Sequence, residues 1–126
     1  MRTIDTNVLV RLITRDDSHQ VRLADTFVAN GGWVSILALT EMTWVLSSVY
    51  RFVPSEIATV IEMLLQHKNL VLQSPETVEA ALGIFRAKPN LGFSDCMMLQ
   101  LARQTGNLPL GTFDRNLAKL DGAQKL

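Results

Sequence analysis

The sequence predicts an α/β fold: a three-layer α/β/α domain with a central, mainly parallel sheet. Three observations predict it. Short β-branched or apolar runs alternate with helical stretches from one end of the chain to the other. The 126 residues suffice for one domain with a real core but not for two, and 48% of them are hydrophobic. No internal repeat, low-complexity tract or interdomain linker interrupts them, so residues 1–126 are expected to form a single domain.

Arg2–Asp5 reads as the first strand, a polar turn follows, and Asn7 to about Ile13 forms a short helix. The polar break Thr14–Ser18 supplies an N-cap, Asp17 or Ser18, for a helix over His19–Ala29, which Asn30-Gly31-Gly32 ends. Trp33–Ile36 is aromatic and β-branched and predicts a strand. Leu37–Tyr50 is helical, with Leu39, Met42, Leu46 and Val49 as its buried stripe. Pro54 marks a break and Ser55 is the expected cap of a helix over Glu56–His67. Leu70–Leu72 is a third strand. Ser74-Pro75-Glu76 opens a helix to about Arg86, with a serine cap, proline at the first position and an acid in the first turn. Lys88–Gly92 is a loop. Ser94 caps and opens a helix that Gly106 ends after Thr105. Leu108–Thr112 is a weak strand, weakened further by Pro109. A turn and short helix over Phe113–Leu120 and an edge strand over Ala123–Leu126 complete the chain.

Lys and Arg number 12 and Asp and Glu 12, which argues against a strongly basic nucleic-acid coat but leaves room for a local basic patch. Zero net charge also predicts modest solubility alone, and so a partner or self-association. The single cysteine, Cys96, excludes a disulfide framework and a multi-cysteine zinc site, and makes a reducing, cytoplasmic setting the default. No secretory signal is visible, and no apolar run approaches the roughly 20 residues of a membrane helix.

Four acids stand out: Asp5, Glu41, Asp95 and Asp114. Each has an ordinary explanation. Asp5 is a turn aspartate, Glu41 a solvated helix residue without an opposite charge at helical spacing, Asp95 a first-turn partner of the helix dipole, and Asp114 an N-cap for the helix carrying Leu117 and Leu120. Asp95, Met98, Leu99 and Ala102 share one helical face, which sets that carboxylate above an apolar stripe. Their joint placement says more. Three follow a strand end closely and one opens a helix, and in a parallel sheet such points fall on one edge, where ligands bind. Clustered carboxylates repel, and a divalent cation resolves the conflict. Oxygen ligands without neighbouring His or Cys suit Mg²⁺ or Mn²⁺ rather than zinc. Such an ion stabilises charge growing on a phosphorus centre, so the chemistry is hydrolysis of a phosphodiester. Mutual repulsion further predicts that removing all four acids raises the stability of the metal-free protein.

The order Met1-Arg2-Thr3-Ile4-Asp5-Thr6-Asn7-Val8-Leu9-Val10-Arg11, then Leu39-Thr40-Glu41 with Trp44-Val45-Leu46, then Phe93-Ser94-Asp95, then Thr112-Phe113-Asp114-Arg115, closely resembles PIN-domain ribonucleases. It is most similar to the VapC-type toxins of bacterial toxin–antitoxin pairs, over nearly the whole chain. The resemblance implies a PIN-like domain and Mg²⁺- or Mn²⁺-dependent endonuclease action on RNA. It also implies a cognate VapB-type antitoxin that blocks the site, and a homodimer. By that match Asp5 and Asp95 are the main metal ligands, and Glu41 and Asp114 complete the acidic pocket. Thr112 lines the pocket by its hydroxyl, and Asn7 fixes the turn that aims Asp5. Gly92 and Asn116 stand where many relatives carry further acids, which bears on a second metal and on rate more than on activity class.

Arg11, Arg15, Arg86, Lys88 and Arg115 flank the proposed edge and are the candidate phosphate contacts, each with ordinary surface charge as its rival reading. Single-stranded or looped RNA suits a cleft with few base readers. Trp33 and Trp44 read as core or subunit contacts rather than base-stacking platforms, Cys96 as a small buried residue, and His19 and His67 as isolated. A haloacid-dehalogenase-like phosphatase needs a second Asp where Asn7 stands. A phospho-acceptor receiver needs an Asp after Leu70–Leu72, where Gln73-Ser74 stands. The remaining alternative is a catalytically silent PIN-like binding module, which would be indifferent to chelator.

Overall fold

Six helices and two pairs of short parallel strands make up the computed structural model, which describes every residue from Met1 to Leu126. The α/β class and the parallel sense of the strands are as expected. The single central sheet is not: the strands pair as two separate two-stranded sheets. The chain also divides into two compact units, Met1–Pro75 and Glu76–Leu126, each with one of the pairs.

In the first unit β1 (Gly32–Val34) pairs with β2 (Leu70–Leu72), with Trp33 opposite Val71. The expected strand Arg2–Asp5 is only a bridge, Thr3 to Trp33. The Trp33 N–H donates to Arg2 O and the Ile4 N–H to Trp33 O, both at 2.8 Å, before the chain turns into α1 (Thr6–Thr14). Gly32 makes this approach possible, because a Cβ there would lie 2.5 Å from Ile4 Cδ1.

Helix α2 (Ser18–Val28) is capped by Asp17, whose carboxylate accepts the Gln20 N–H at 3.0 Å. Helix α3 (Ile36–Ser48) starts at Ile36 rather than continuing the strand, because the Ser35 hydroxyl accepts the Ala38 N–H at 3.0 Å. Its inner face carries Ala38, Leu39, Met42, Thr43 and Leu46; Val49, expected in that stripe, lies past the helix and is exposed. Helix α4 (Pro54–Gln66) is capped two residues earlier than expected, at Val53 rather than Ser55. Pro54 takes the first helical position, where its missing N–H costs nothing, and the Glu56 carboxylate accepts the Val53 N–H at 2.9 Å. Ile4, Leu9, Val34, Met42, Leu46 and Ile61 form the fully buried centre of this unit.

In the second unit α5 (Pro75–Ala87) buries Thr77, Val78, Ala81, Leu82 and Phe85, and α6 (Phe93–Thr105) buries Phe93, Cys96, Met97 and Leu99. Phe85 and Phe93 meet edge to face with centroids 5.9 Å apart. Gly92, not Ser94, holds the N-cap position of α6, and Gly106 ends it at φ +73° as expected. The stripe expected beneath Asp95 is broken, since Met98 is half exposed while Leu99 is buried. β3 (Leu110–Thr112) begins just after Pro109, which has no N–H for a ladder, and pairs in parallel with β4 (Ala123–Lys125). The helix expected over Phe113–Leu120 shrinks to a single 3₁₀ turn, Leu117–Lys119. No helix is long and apolar enough to cross a membrane.

Candidate active site

The Thr3 bridge, β1 and β2 run in parallel, so their carboxyl ends share one edge. Asp5, Ser35 and Gln73 come next along the chain at these three ends. Ser35 caps α3, and the Gln73 side-chain oxygen accepts the Ile36 N–H at 2.9 Å, so two donors at the α3 N-terminus are satisfied from this edge. Asp5 behaves differently. It occupies the N-cap of α1, and its backbone oxygen accepts the Val8 and Leu9 N–H groups at 3.0 and 3.2 Å. Its carboxylate makes no capping hydrogen bond. The turn-aspartate explanation therefore fails for Asp5.

Glu41 comes to the same place from α3. The Thr6 hydroxyl donates to Glu41 Oε2 at 3.2 Å, which ties the first turn of α1 to α3. Thr3, Ile4, Asp5 and Thr6 on one side, and Ser35, Leu37, Ala38 and Glu41 on the other, line an open cleft of about 310 Å³. Two carboxylates and three hydroxyls stand on a partly apolar wall, and oxygens are the donor type that hard cations take. Thr6 and Ser35 belong to this wall and were not singled out from sequence, although each stands at a strand-to-helix junction, which is the available signal.

Asp95 and Asp114 lie in the second unit. Asp95 sits in the first turn of α6, half-buried, with its Oδ2 3.7 Å from where a Cβ on Gly92 would stand. Its charge acts on Cys96. Burial first, then the Asp95 carboxylate, pushes that thiol up to about 11, so Cys96 stays protonated and supplies no nucleophile. Asp114 Oδ1 accepts the Asn116 and Leu117 N–H groups at 2.8 and 2.9 Å, and the Thr112 hydroxyl accepts the Asp114 N–H at 3.0 Å. Asp114 thus does the capping work that its ordinary explanation assigns it. Within neither unit do three or more His, Cys, Asp or Glu side chains gather as a metal site.

The basic candidates divide. Arg11 donates to Gln20 Oε1 at 2.5 Å, Tyr50 at 3.0 Å and Asp16 at 3.3 Å. Tyr50 hydrogen-bonds Asp16 at 2.8 Å and holds that carboxyl below its usual range, with Thr14 and Arg11 helping. Arg15 forms an ion pair with Asp25 at 2.8 Å, which lowers the Asp25 carboxyl and raises the guanidinium. Both arginines therefore have their charge compensated within the chain. Arg115 is exposed beside Asp114. Asn7 faces a second groove of about 340 Å³ between α1 and α2, lined also by Val8, Arg11, Gln20, Leu23, Ala24 and Phe27, and is not part of the acidic cleft.

The PIN domain family model matches residues 3–123. No curated protein and no solved structure matches the chain. The match runs from the Thr3 bridge to the start of β4 and includes every one of the four acids. The chain belongs to the PIN-domain family, a nuclease-type fold.

Proposed function

We propose that this protein is a metal-dependent endoribonuclease of the VapC type, the toxin of a toxin–antitoxin pair, acting in the cytoplasm. The observation that carries the reading is Asp5. It stands at a helix N-cap, where an aspartate ordinarily bonds the backbone, yet its carboxylate is left for a ligand in a cleft shared with Glu41. We read residues 1–126 as one PIN domain, since the family match continues through both units.

The donor set fits Mg²⁺ or Mn²⁺. Mg²⁺ keeps several waters and takes one or two carboxylates plus substrate phosphate, so a pair of acids in a cleft suffices as the protein's share. Asp5 would be the first ligand, and Glu41, which accepts from the Thr6 hydroxyl, would hold or accept a proton. By the family resemblance Asp95 is the other main metal ligand and Asp114 completes the acidic pocket, with Thr112 and Asn7 in supporting roles. When bound, the cation supplies Lewis-acid stabilisation of the charge that grows on the phosphoryl oxygens. Arg115 is the basic contact assigned to a phosphate, because Arg11 and Arg15 are already paired. A VapB-type antitoxin covering the site and a homodimeric assembly complete the proposal.

The test is cleavage of an unstructured RNA by purified protein. Activity should vanish in chelator and return with Mg²⁺ or Mn²⁺, and indifference to metal removes the enzymatic reading. Expression alone should arrest bacterial growth and co-expression of the adjacent antitoxin should relieve it; harmless overexpression removes the toxin role.

A further inference from the structure

We infer that Trp44 is a nucleobase-stacking residue that holds a base beside the scissile phosphate; the inference rests on the nuclease reading of the cleft. Trp44 is expected in the core or at a subunit contact; it is not in the core, the residue being 69% exposed. Tryptophan is highly buried on average, so a ring left this bare needs an explanation. Nothing in the chain covers it: the one aromatic pair is Phe85–Phe93, and the one cation over a ring is Arg2 on Phe27.

Its position supplies the explanation. Leu37, Glu41 and Trp44 recur at the spacing of a single face of α3. Leu37 and Glu41 line the acidic cleft, and Trp44 is the next residue outward on that face. A helical Cα–Cβ bond tilts toward the helix N-terminus, so the Cβ of Trp44 is set toward the Glu41 end of α3.

A second copy of the chain is the rival occupant. Interface cores are depleted of charge, and this face carries a carboxylate between its two large apolar residues. Two-fold self-association there would bring like charges together. A base with a π-face tolerates such a neighbour, because its phosphate runs toward the cation site while the ring stacks.

Steady-state cleavage of an unstructured oligoribonucleotide, and of the same sequence held in a duplex, tests the inference. Trp44→Ala should raise KM for the single strand about tenfold with kcat little changed, and Trp44→Phe should recover most of it. The duplex should respond to neither variant. Trp33→Phe leaves Trp44 as the single indole, and its emission should be quenched as the single strand is added. An unchanged KM, an equal loss on duplex and single strand, or no quenching while RNA is still cleaved overturns the stacking role and leaves the nuclease reading standing. Loss of self-association in Trp44→Ala with KM unchanged assigns the face to a second copy and overturns it too. If the wild type cleaves no nucleic acid, the nuclease reading fails, and quenching still decides whether Trp44 meets bases.

Discussion

The two ends of α1 use the same side-chain chemistry in opposite ways. At its C-terminal end Asp16 accepts from Thr14, Arg11 and Tyr50, and Arg11 reaches on to Gln20, so each charge has a partner and α1 is tied to α2 and to the end of α3. At its N-terminal end Asp5 makes no capping bond, and Glu41 has one hydroxyl donor. The contrast is sharpest between Asp5 and Asp17, which hold the N-caps of consecutive helices. Asp17 caps and Asp5 does not. A polar group with its bonds made inside the chain has structural work; one left open at a strand's carboxyl edge is available for a ligand.

The comparison breaks most visibly in activity. Asp5→Asn should lower kcat on the order of 10²–10³-fold, as expected when a group stabilising transition-state charge is lost. Thermal stability should not move by more than about 0.5 kcal/mol, since no hydrogen bond in the fold is removed. Wild-type cleavage by this variant refutes the site, and a large loss of stability reassigns Asp5 to structure. The mirror experiment is Asp17→Ala, which should leave kcat unchanged and cost about 1 kcal/mol of stability in denaturant unfolding, because the Gln20 N–H loses its partner.

Tyr50→Phe sharpens the other end. The hydroxyl bridges Arg11 and Asp16, and its removal should lower stability slightly at neutral pH without altering cleavage. The pH dependence has a definite sign. Asp16 titrates below its ordinary 3.8 in the folded protein, so its contribution is present above the unfolded value and lost as pH falls through the folded one. The deficit of Tyr50→Phe relative to wild type should therefore shrink in urea unfolding below about pH 4. A deficit that stays constant with pH says the tyrosine acts through packing rather than through the carboxylate.

The legible part of the molecule is the part governed by local chemistry. Asp17, one of the two expected caps, Gly106 as stop and Leu70–Leu72 as a strand each depend on a residue and its immediate neighbours, and each formed. The cap of α4 went to Val53 because Pro54 prefers the first helical position and Glu56 reaches back to the Val53 N–H, a combination that outweighs the intrinsic preference of Ser55. The first strand reduced to a bridge because α1 begins at Thr6, two residues after Ile4 donates its last sheet bond. Long-range partners left no mark at all. Nothing local says that Gln73 completes the α3 N-terminus, that Thr6 meets Glu41, or that Tyr50 compensates Arg11 and Asp16. Those pairings depend on how helices pack, and they decide which acids are open and which are committed.

They also split the stability expected from removing the four acids together. Asp5 and Glu41 share a cleft and hold few of the fold's hydrogen bonds, so Asp5→Asn with Glu41→Gln should raise the melting temperature of the metal-free protein slightly, by relief of like charge. Asp114 belongs on the other side of the ledger. Its Oδ1 satisfies two backbone N–H groups before the 3₁₀ turn, and Asp114→Ala should lower stability by about 1 kcal/mol, whereas Asp114→Asn keeps the acceptor and should cost little. The full quadruple variant is then the sum of a small gain and a larger loss, and calorimetry of the two halves separates them. A gain from Asp114→Ala would show that its charge matters more than its cap, and would place it with Asp5 among the acids left open for a ligand.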